Sequence, residues 1–339
     1  RYIQVHIHAK NLDKIAINYF GMQPVQYPLQ EKGTFQCADK LHQNIYETAV
    51  RTLSLCMHEH YEDTPWREQA LYAMDSRNQA LCGYYCFGEY EFAKASFHLL
   101  GKSLRKDGYL DLCAPGRVSI TIPAFTLAWI IEVKEYFLYS GDKDFIRENL
   151  ENIRSIINKL IGERKNGLLV TPKEAQYWNF YDWADNLSGE PTFRKEELEY
   201  RIDAPLNLFF CLALDAAAFI MEHCEEKDVA INYKCIAEEV GISFHSQFWN
   251  KEKRLYSTYI GLNELDVYSE LVQSLAICAS AVPEELRSGL LETIADYHSK
   301  LTKVTLSMSI FKYMALMTEP DEYAQKVFDD IAKDWGYML

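Results

Sequence analysis

Basic residues are scarce in this chain. Thirty-five Lys and Arg face 49 Asp and Glu, a formal net charge of −14 over 339 residues, and that sign repels phosphate backbones and anionic lipid. Nucleic acid and membrane surfaces are therefore set aside as partners. The sequence also lacks an apolar run near the roughly 18 uncharged residues that span a bilayer, and Arg1-Tyr2-Ile3-Gln4-Val5-His6-Ile7-His8 alternates where a signal peptide would show an apolar block. There is no G-x-G-x-x-G, and Gly101-Lys102-Ser103 lacks the glycine five residues upstream that a phosphate-binding loop requires, which removes nucleotide binding. C-x-x-C is missing as well. The nine cysteines (Cys37, Cys56, Cys82, Cys86, Cys113, Cys211, Cys224, Cys235, Cys278) are odd in number and mostly set in apolar helical stretches. They read as reduced core residues, and a soluble, cytoplasmic protein is expected. His58-Glu59-His60 resembles a metal motif, but helical ligand pairs need a spacing of three or four, and residues two apart point to different faces. Neither a metal nor another cofactor is expected.

What is present is ordinary globular material, 48% hydrophobic and 25% charged. Residues 1 to 8 alternate with period two, and Lys14-Ile15-Ala16-Ile17-Asn18-Tyr19-Phe20 reads as a second extended piece. Two strands do not make a stable sheet, so residues 1–36 are expected to be the tail of an upstream β-domain or to pack on the adjoining helical domain. From Asp39 the period becomes helical, with Leu41, Ile45, Ala49, Thr52, Leu53 and Cys56 on one face. Further helices are predicted at about 76–104, 122–140, 144–163, 203–224, 228–249, 265–280, 283–298, 304–318 and 320–335. Ile122 to Val133 and Leu206 to Met221 are apolar on most of their circumference and must be enclosed by other helices. Sequential helix pairs with an inner and an outer ring predict a mainly α fold, an α/α toroid.

Two stretches carry chemistry. Glu62-Asp63-Thr64-Pro65-Trp66-Arg67-Glu68-Gln69-Ala70-Leu71-Tyr72-Ala73-Met74-Asp75-Ser76-Arg77 begins with helix-capping residues and a Pro. A helix continuing from Pro65 would place Glu68, Tyr72 and Asp75 on one face. Acids, an arginine and aromatics on a concave surface are what carbohydrate chemistry needs: carboxylates accept hydrogen bonds from sugar hydroxyls, and one carboxyl protonates the leaving oxygen. A capped helix start with a solvated acidic face would show the same composition. The second stretch, Gln176-Tyr177-Trp178-Asn179-Phe180-Tyr181-Asp182-Trp183-Ala184-Asp185, lies in the longest aperiodic segment, Val170 to Tyr200. Its aromatic rings suit the apolar faces of a pyranose, and Asp182 and Asp185 interleave acceptors.

The pattern D-x-P-x-R-E-Q-x-x-Y-x-x-D, read from Asp63 to Asp75, resembles the signature of the α-L-rhamnosidases of glycoside hydrolase family 78. Gly33-Thr34-Phe35-Gln36-Cys37-Ala38-Asp39 with Leu41 and Asn44-Ile45-Tyr46 upstream, and Ile122-Pro123, Trp129, Gly141-Asp142 and Tyr181-Asp182-Trp183 downstream, extend the likeness over most of the chain. The resemblance implies an (α/α)6 toroid occupying residues 37–339, behind a short β segment from a preceding β-sandwich. It implies an inverting hydrolase without cofactor or metal, acting on a rhamnose-containing oligosaccharide or glycoside. Glu68 matches the general acid. Asp63, Arg67 and Asp75 match groups that hold the sugar hydroxyls and tune that acid; Trp129 and Trp183 match the aromatic walls, and Asp182 matches an acid in the same loop, so all six are expected to bind substrate.

An inverting site needs a protonated carboxyl and, about 6.5–9.5 Å away, a carboxylate that activates water. In the family that base is a glutamate in a Trp-Glu motif following a stretch like Ile331-Ala332-Lys333-Asp334-Trp335-Gly336-Tyr337-Met338-Leu339, so it is expected beyond Leu339, in a chain that reads as truncated. The alternatives are an inverting toroid glycosidase of other sugar specificity, since fold does not set substrate, or a non-catalytic carbohydrate-binding domain. Linkage, aglycone and oligomeric state are not legible.

Overall fold

The computed structural model describes residues 3–8, 10, 14–189, 200–261 and 266–339. Arg1, Tyr2 and Ala9 of the N-terminal alternation and residues 190–199 of the aperiodic segment fall outside the described residues.

Eleven α-helices succeed one another among the described residues: α1 Lys40–Leu55, α2 Ala73–Cys86, α3 Glu91–Gly101, α4 Pro123–Ser140, α5 Lys143–Glu163, α6 Ala204–His223, α7 Lys227–Phe248, α8 Glu270–Cys278, α9 Glu284–Ala295, α10 Ser309–Leu316 and α11 Pro320–Asp334. They alternate between an outer ring (odd numbers) and an inner ring (even numbers). Successive inner helices from α2 to α10 pack on one another, each outer helix packs on at least one inner helix, and α1 meets α11. The side-chain pattern dictates this order. Helices α4, α6 and α8 bury most of their residues, as enclosed helices do, whereas α5 buries only a stripe of Phe145, Ile146, Asn149, Ile153, Ile156, Ile157 and Leu160. Boundaries are set by capping chemistry. Asp39 caps α1, Pro123 opens α4, Gly141 closes α4 at φ 70°, and Asp142 starts α5 by accepting from the N–H groups of Asp144 and Phe145.

Two differences from the sequence reading, and one agreement, have physical causes. The single helix expected over 76–104 is two, α2 and α3, because the chain reverses at Gly88 in a left-handed conformation, φ 54°. By length and composition α6 could cross a membrane, yet it is an inner helix packed on α4, α5, α7 and α8. Residues 3–8 and 14–36 carry no regular secondary structure; residues 27–33 instead lie along the first hairpin, with Tyr27 N–H donating to the Met57 carbonyl and Lys32 and Gly33 N–H to that of Cys86. The only strands among the described residues are short pairs: β1 Arg164–Lys165 with β2 Leu168–Leu169, β3 Arg201–Asp203 with β6 Tyr259–Gly261, and β4 Trp249–Asn250 with β5 Leu255–Tyr256.

A buried joint locks the inner ring near the end where α2 begins. Arg77, 2% exposed, donates through Nε and Nη2 to both oxygens of Glu135 on α4, at 2.8 and 2.6 Å, and lies 5.0 Å from the ring centroid of Phe311 on α10. One side chain thereby ties three inner helices, and it is the residue immediately before Asn78 at the mouth.

Candidate active site

At the mouth of the ring a cavity of about 290 Å³ is lined by residues from four distant parts of the chain. Asp63, Thr64, Arg67, Glu68 and Tyr72 come from the segment between α1 and α2, and Met74, Asp75 and Asn78 from the start of α2. Ile122 and Phe125 open α4, Trp178, Phe180 and Trp183 belong to the aromatic loop, and Ser307 and Met308 precede α10. Three inner helices thus begin here, presenting the positive ends of their dipoles to oxygen-rich ligands.

The Asp63–Asp75 segment is not the continuous helix its spacing suggested. Residues 65–68 make one turn, Gln69 takes a left-handed φ of 52°, and α2 begins only at Ala73. Side chains decide this outcome. Asp63 Oδ1 accepts from the N–H of Ala70 at 2.9 Å while Asp63 N–H donates to the Ala70 carbonyl, closing the loop on itself; the Leu71 backbone then pairs with Ala114. The residues nevertheless converge. Arg67 Nη2 donates to Glu68 Oε1 at 3.0 Å, and the Tyr72 hydroxyl donates to Glu68 Oε2 at 2.9 Å. Glu68 keeps 40% of its side chain exposed, accessible from the cavity. Asp75 sits in the first turn of α2, half-buried. Burial, and after it the charges of Asp63 and Glu68, push its carboxyl from the ordinary 3.8 up to about 7. Asn78, one turn further along the same face, donates through Nδ2 to the Ser307 carbonyl at 2.9 Å and ties α2 to the opposite wall.

The aromatic wall is a cluster. Trp183 stands edge-on to Phe180 (4.9 Å between centroids) and Trp178 (5.9 Å), and Phe180 meets Phe125 at 5.9 Å. Trp183 is 65% exposed and leaves a ring face open to a ligand.

Two expected substrate-binding residues lie elsewhere. Trp129 is 0% exposed, two turns inside α4; its indole N–H donates to the Phe97 carbonyl at 3.0 Å, and it packs so closely on Gly101 that a Cβ there would stand 2.8 Å from the ring. It is a core residue between α3 and α4, not a wall of the cavity. Asp182 is likewise 0% exposed and does not line the cavity, because its carboxylate turns to the backbone of Trp183 and to Thr305. Asp63, Arg67, Glu68, Asp75 and Trp183 do line it. Met74, Asn78, Phe125, Ser307 and Met308 were not singled out from the sequence. Asn78 was reachable in principle, three residues beyond Asp75 on one helical face; Ser307 and Met308 arrive by tertiary folding alone. His58 and His60 engage separate partners, Glu62 Oε1 and the Tyr61 carbonyl, each at 2.9 Å.

Comparison with known proteins places this geometry. Residues 30–339 match the family described as the bacterial alpha-L-rhamnosidase 6 hairpin glycosidase domain. The chain belongs to that family. Among solved structures it is similar to the GH78 rhamnosidase of Bacillus sp. GL1, at 28% identity and a TM-score of 0.82 over 93% of this chain and 32% of that one. The rhamnosidase from Klebsiella oxytoca with rhamnose bound superposes with a TM-score of 0.75 at 19% identity, covering 93% of this chain and 57% of that one. A GH63 mannosylglycerate hydrolase from Thermus thermophilus shares the fold at a TM-score of 0.57 and 13% identity, over 86% of this chain and 89% of that one. The chain thus spans about a third of the length of the Bacillus protein. No curated protein matches it.

Proposed function

We propose that this domain serves a glycoside hydrolase that releases terminal α-L-rhamnose with inversion. Glu68 is its general acid, Asp63, Arg67 and Asp75 hold the sugar, and Trp183 stacks on it. The observation that carries the reading is the convergence of Asp63, Arg67, Glu68 and Asp75 on one cavity walled by Trp178, Phe180 and Trp183. In such a cavity a pyranose finds acceptors for its hydroxyls on one side and flat apolar area on the other. The apolar floor of Met74, Ile122, Phe125 and Met308, all buried, suits a deoxy sugar, whose methyl group needs no hydrogen-bond partner. A cytoplasmic placement is proposed from cysteine usage in the sequence alone, since only Cys56, Cys86 and Cys211 are buried as the core reading expects.

One observation favours the reading of a binding domain without turnover. Both Glu68 oxygens already accept hydrogen bonds, from Arg67 and Tyr72, which commits the carboxyl to protein partners rather than to a ligand oxygen. Calorimetric titration tests the shared part of both readings: L-rhamnose is expected to bind the folded chain and D-glucose to bind at least about tenfold more weakly, ~1.4 kcal/mol. Equal affinity for the two sugars overturns the rhamnose assignment. Turnover of an aryl α-L-rhamnoside by a chain that carries the general base as well, lost in Glu68→Gln, then separates enzyme from binder.

A further inference from the structure

The aromatic-loop wall of the cavity and the wall that precedes α10 are joined behind the site by one carboxylate. Asp182 accepts from the N–H of Thr305, 123 residues away, at 2.8 Å through Oδ2. Its Oδ1 accepts from the Thr305 hydroxyl and from the N–H of Trp183, the latter at 2.7 Å. The chain of contacts continues to both sides. Trp183 lines the cavity from the aromatic loop; Thr305 Oγ1 lies 2.9 Å from Ser307 Oγ, Ser307 also lines the cavity, and its carbonyl accepts from Asn78 of α2. A second anchor holds the same aromatic loop from behind without touching residues 303–309: the Tyr181 hydroxyl donates to Asp203 Oδ2 at 2.8 Å, and Arg201 donates to both Asp203 oxygens at 2.6 and 2.9 Å. The aromatic loop is thus anchored to Asp203 through the Tyr181 side chain, and its link to residues 303–309 is left to Asp182.

We propose that Asp182 is a positioning residue that couples the two walls of the sugar cleft, so that loops 176–189 and 303–309 hold or loosen as one unit. It acts on the ligand through Trp183 and Ser307 rather than by touching it. A buried carboxylate that accepts from three donors is a strong, directional tie, and its loss leaves two loops that share no other side-chain bond of this strength among the described residues. The consequence for ligand affinity rests on the sugar-binding reading above; the coupling itself does not.

Hydrogen exchange on the unliganded 339-residue protein, followed in peptides covering 176–189 and 303–309, separates the two. In Thr305→Val, nearly isosteric but without the hydroxyl donor, exchange is expected to speed up at least about fivefold in both loops while α4 to α7 keep wild-type rates; Thr305→Ser, which restores the donor, returns both loops to wild type. Asp182→Asn should repeat the Val pattern and weaken L-rhamnose binding about tenfold. Faster exchange confined to 303–309 in Thr305→Val, or a Ser variant that behaves like Val, overturns the coupling. If Asp182→Asn does not fold, the Thr305 pair decides alone. Coupled exchange in a wild-type protein that binds no L-rhamnose upholds the clamp and sinks only the sugar reading.

Discussion

Trp129→Ala is expected to cost about 3–5 kcal/mol of stability and to leave the sugar affinity of the folded fraction unchanged. The indole fills the seam between α3 and α4, its N–H is satisfied by the Phe97 carbonyl, and Gly101 faces it with no side chain at all. Truncation opens a cavity in a closely packed seam and removes one of the donors to the Phe97 carbonyl. Trp183→Ala should do the reverse. With most of its surface already in solvent, its removal should move stability by less than about 1 kcal/mol, while the lost stacking face weakens L-rhamnose about tenfold. Urea unfolding and calorimetric titration of both variants check the pair. A Trp129→Ala protein that is stable but blind to the sugar would restore Trp129 to the wall and refute the packing described above.

The same contrast shows what a single sequence carries and what it does not. Helix positions are legible because they are written in local periodicity and caps: α4 is expected at 122–140 and runs Pro123–Ser140, bounded by a proline that opens it and a glycine that closes it. The motif from Asp63 to Asp75 is legible as chemistry through its family resemblance, since its composition alone would equally suit a capped helix start with an acidic face. Its local path is not. Whether Asp63 caps a helix or closes a loop through Ala70 depends on where Leu71 can pair, and its partner, Ala114, lies more than forty residues on. Trp129 and Trp183 are indistinguishable as letters, and only the ring's closure sends one into the α3–α4 seam and leaves the other at the mouth. Asp182 shows the same limit in a harsher form, because the Thr305 that claims it stands in a segment with no motif of its own.

Asp75→Asn is the substitution for which stability and binding should move in opposite directions. Asp75 is half-buried and shares its surroundings with two other acids, and Arg67, the cation lining the same cavity, is committed to Glu68. In the unfolded chain its carboxyl ionises near 3.8, and in the folded protein near 7. Between these values the folded state holds a proton that the unfolded state has released, so stability falls as pH rises from about 4 to 7 and levels off above. The full shift corresponds to roughly 4 kcal/mol, and partial exposure at the mouth reduces the expected loss to about 2. Asparagine has the same shape and cannot ionise. The variant should therefore be more stable than the wild type by about 2 kcal/mol at pH 8 and equal to it near pH 4, as read by urea unfolding at the two values. Its L-rhamnose affinity should be about 10- to 100-fold lower at pH 8, where the wild-type carboxylate accepts from sugar hydroxyls with its full charge. A gain in stability with binding intact would mean that Asp75 tunes its acidic neighbours without holding the sugar. The absence of any pH-dependent gain would mean that water reaches Asp75 freely and that the carboxylate cluster is not strained. Strain held in the unliganded site and relieved by an inert isostere is the mark of a binding surface kept at a cost in stability, and at this mouth the cost falls on Asp75.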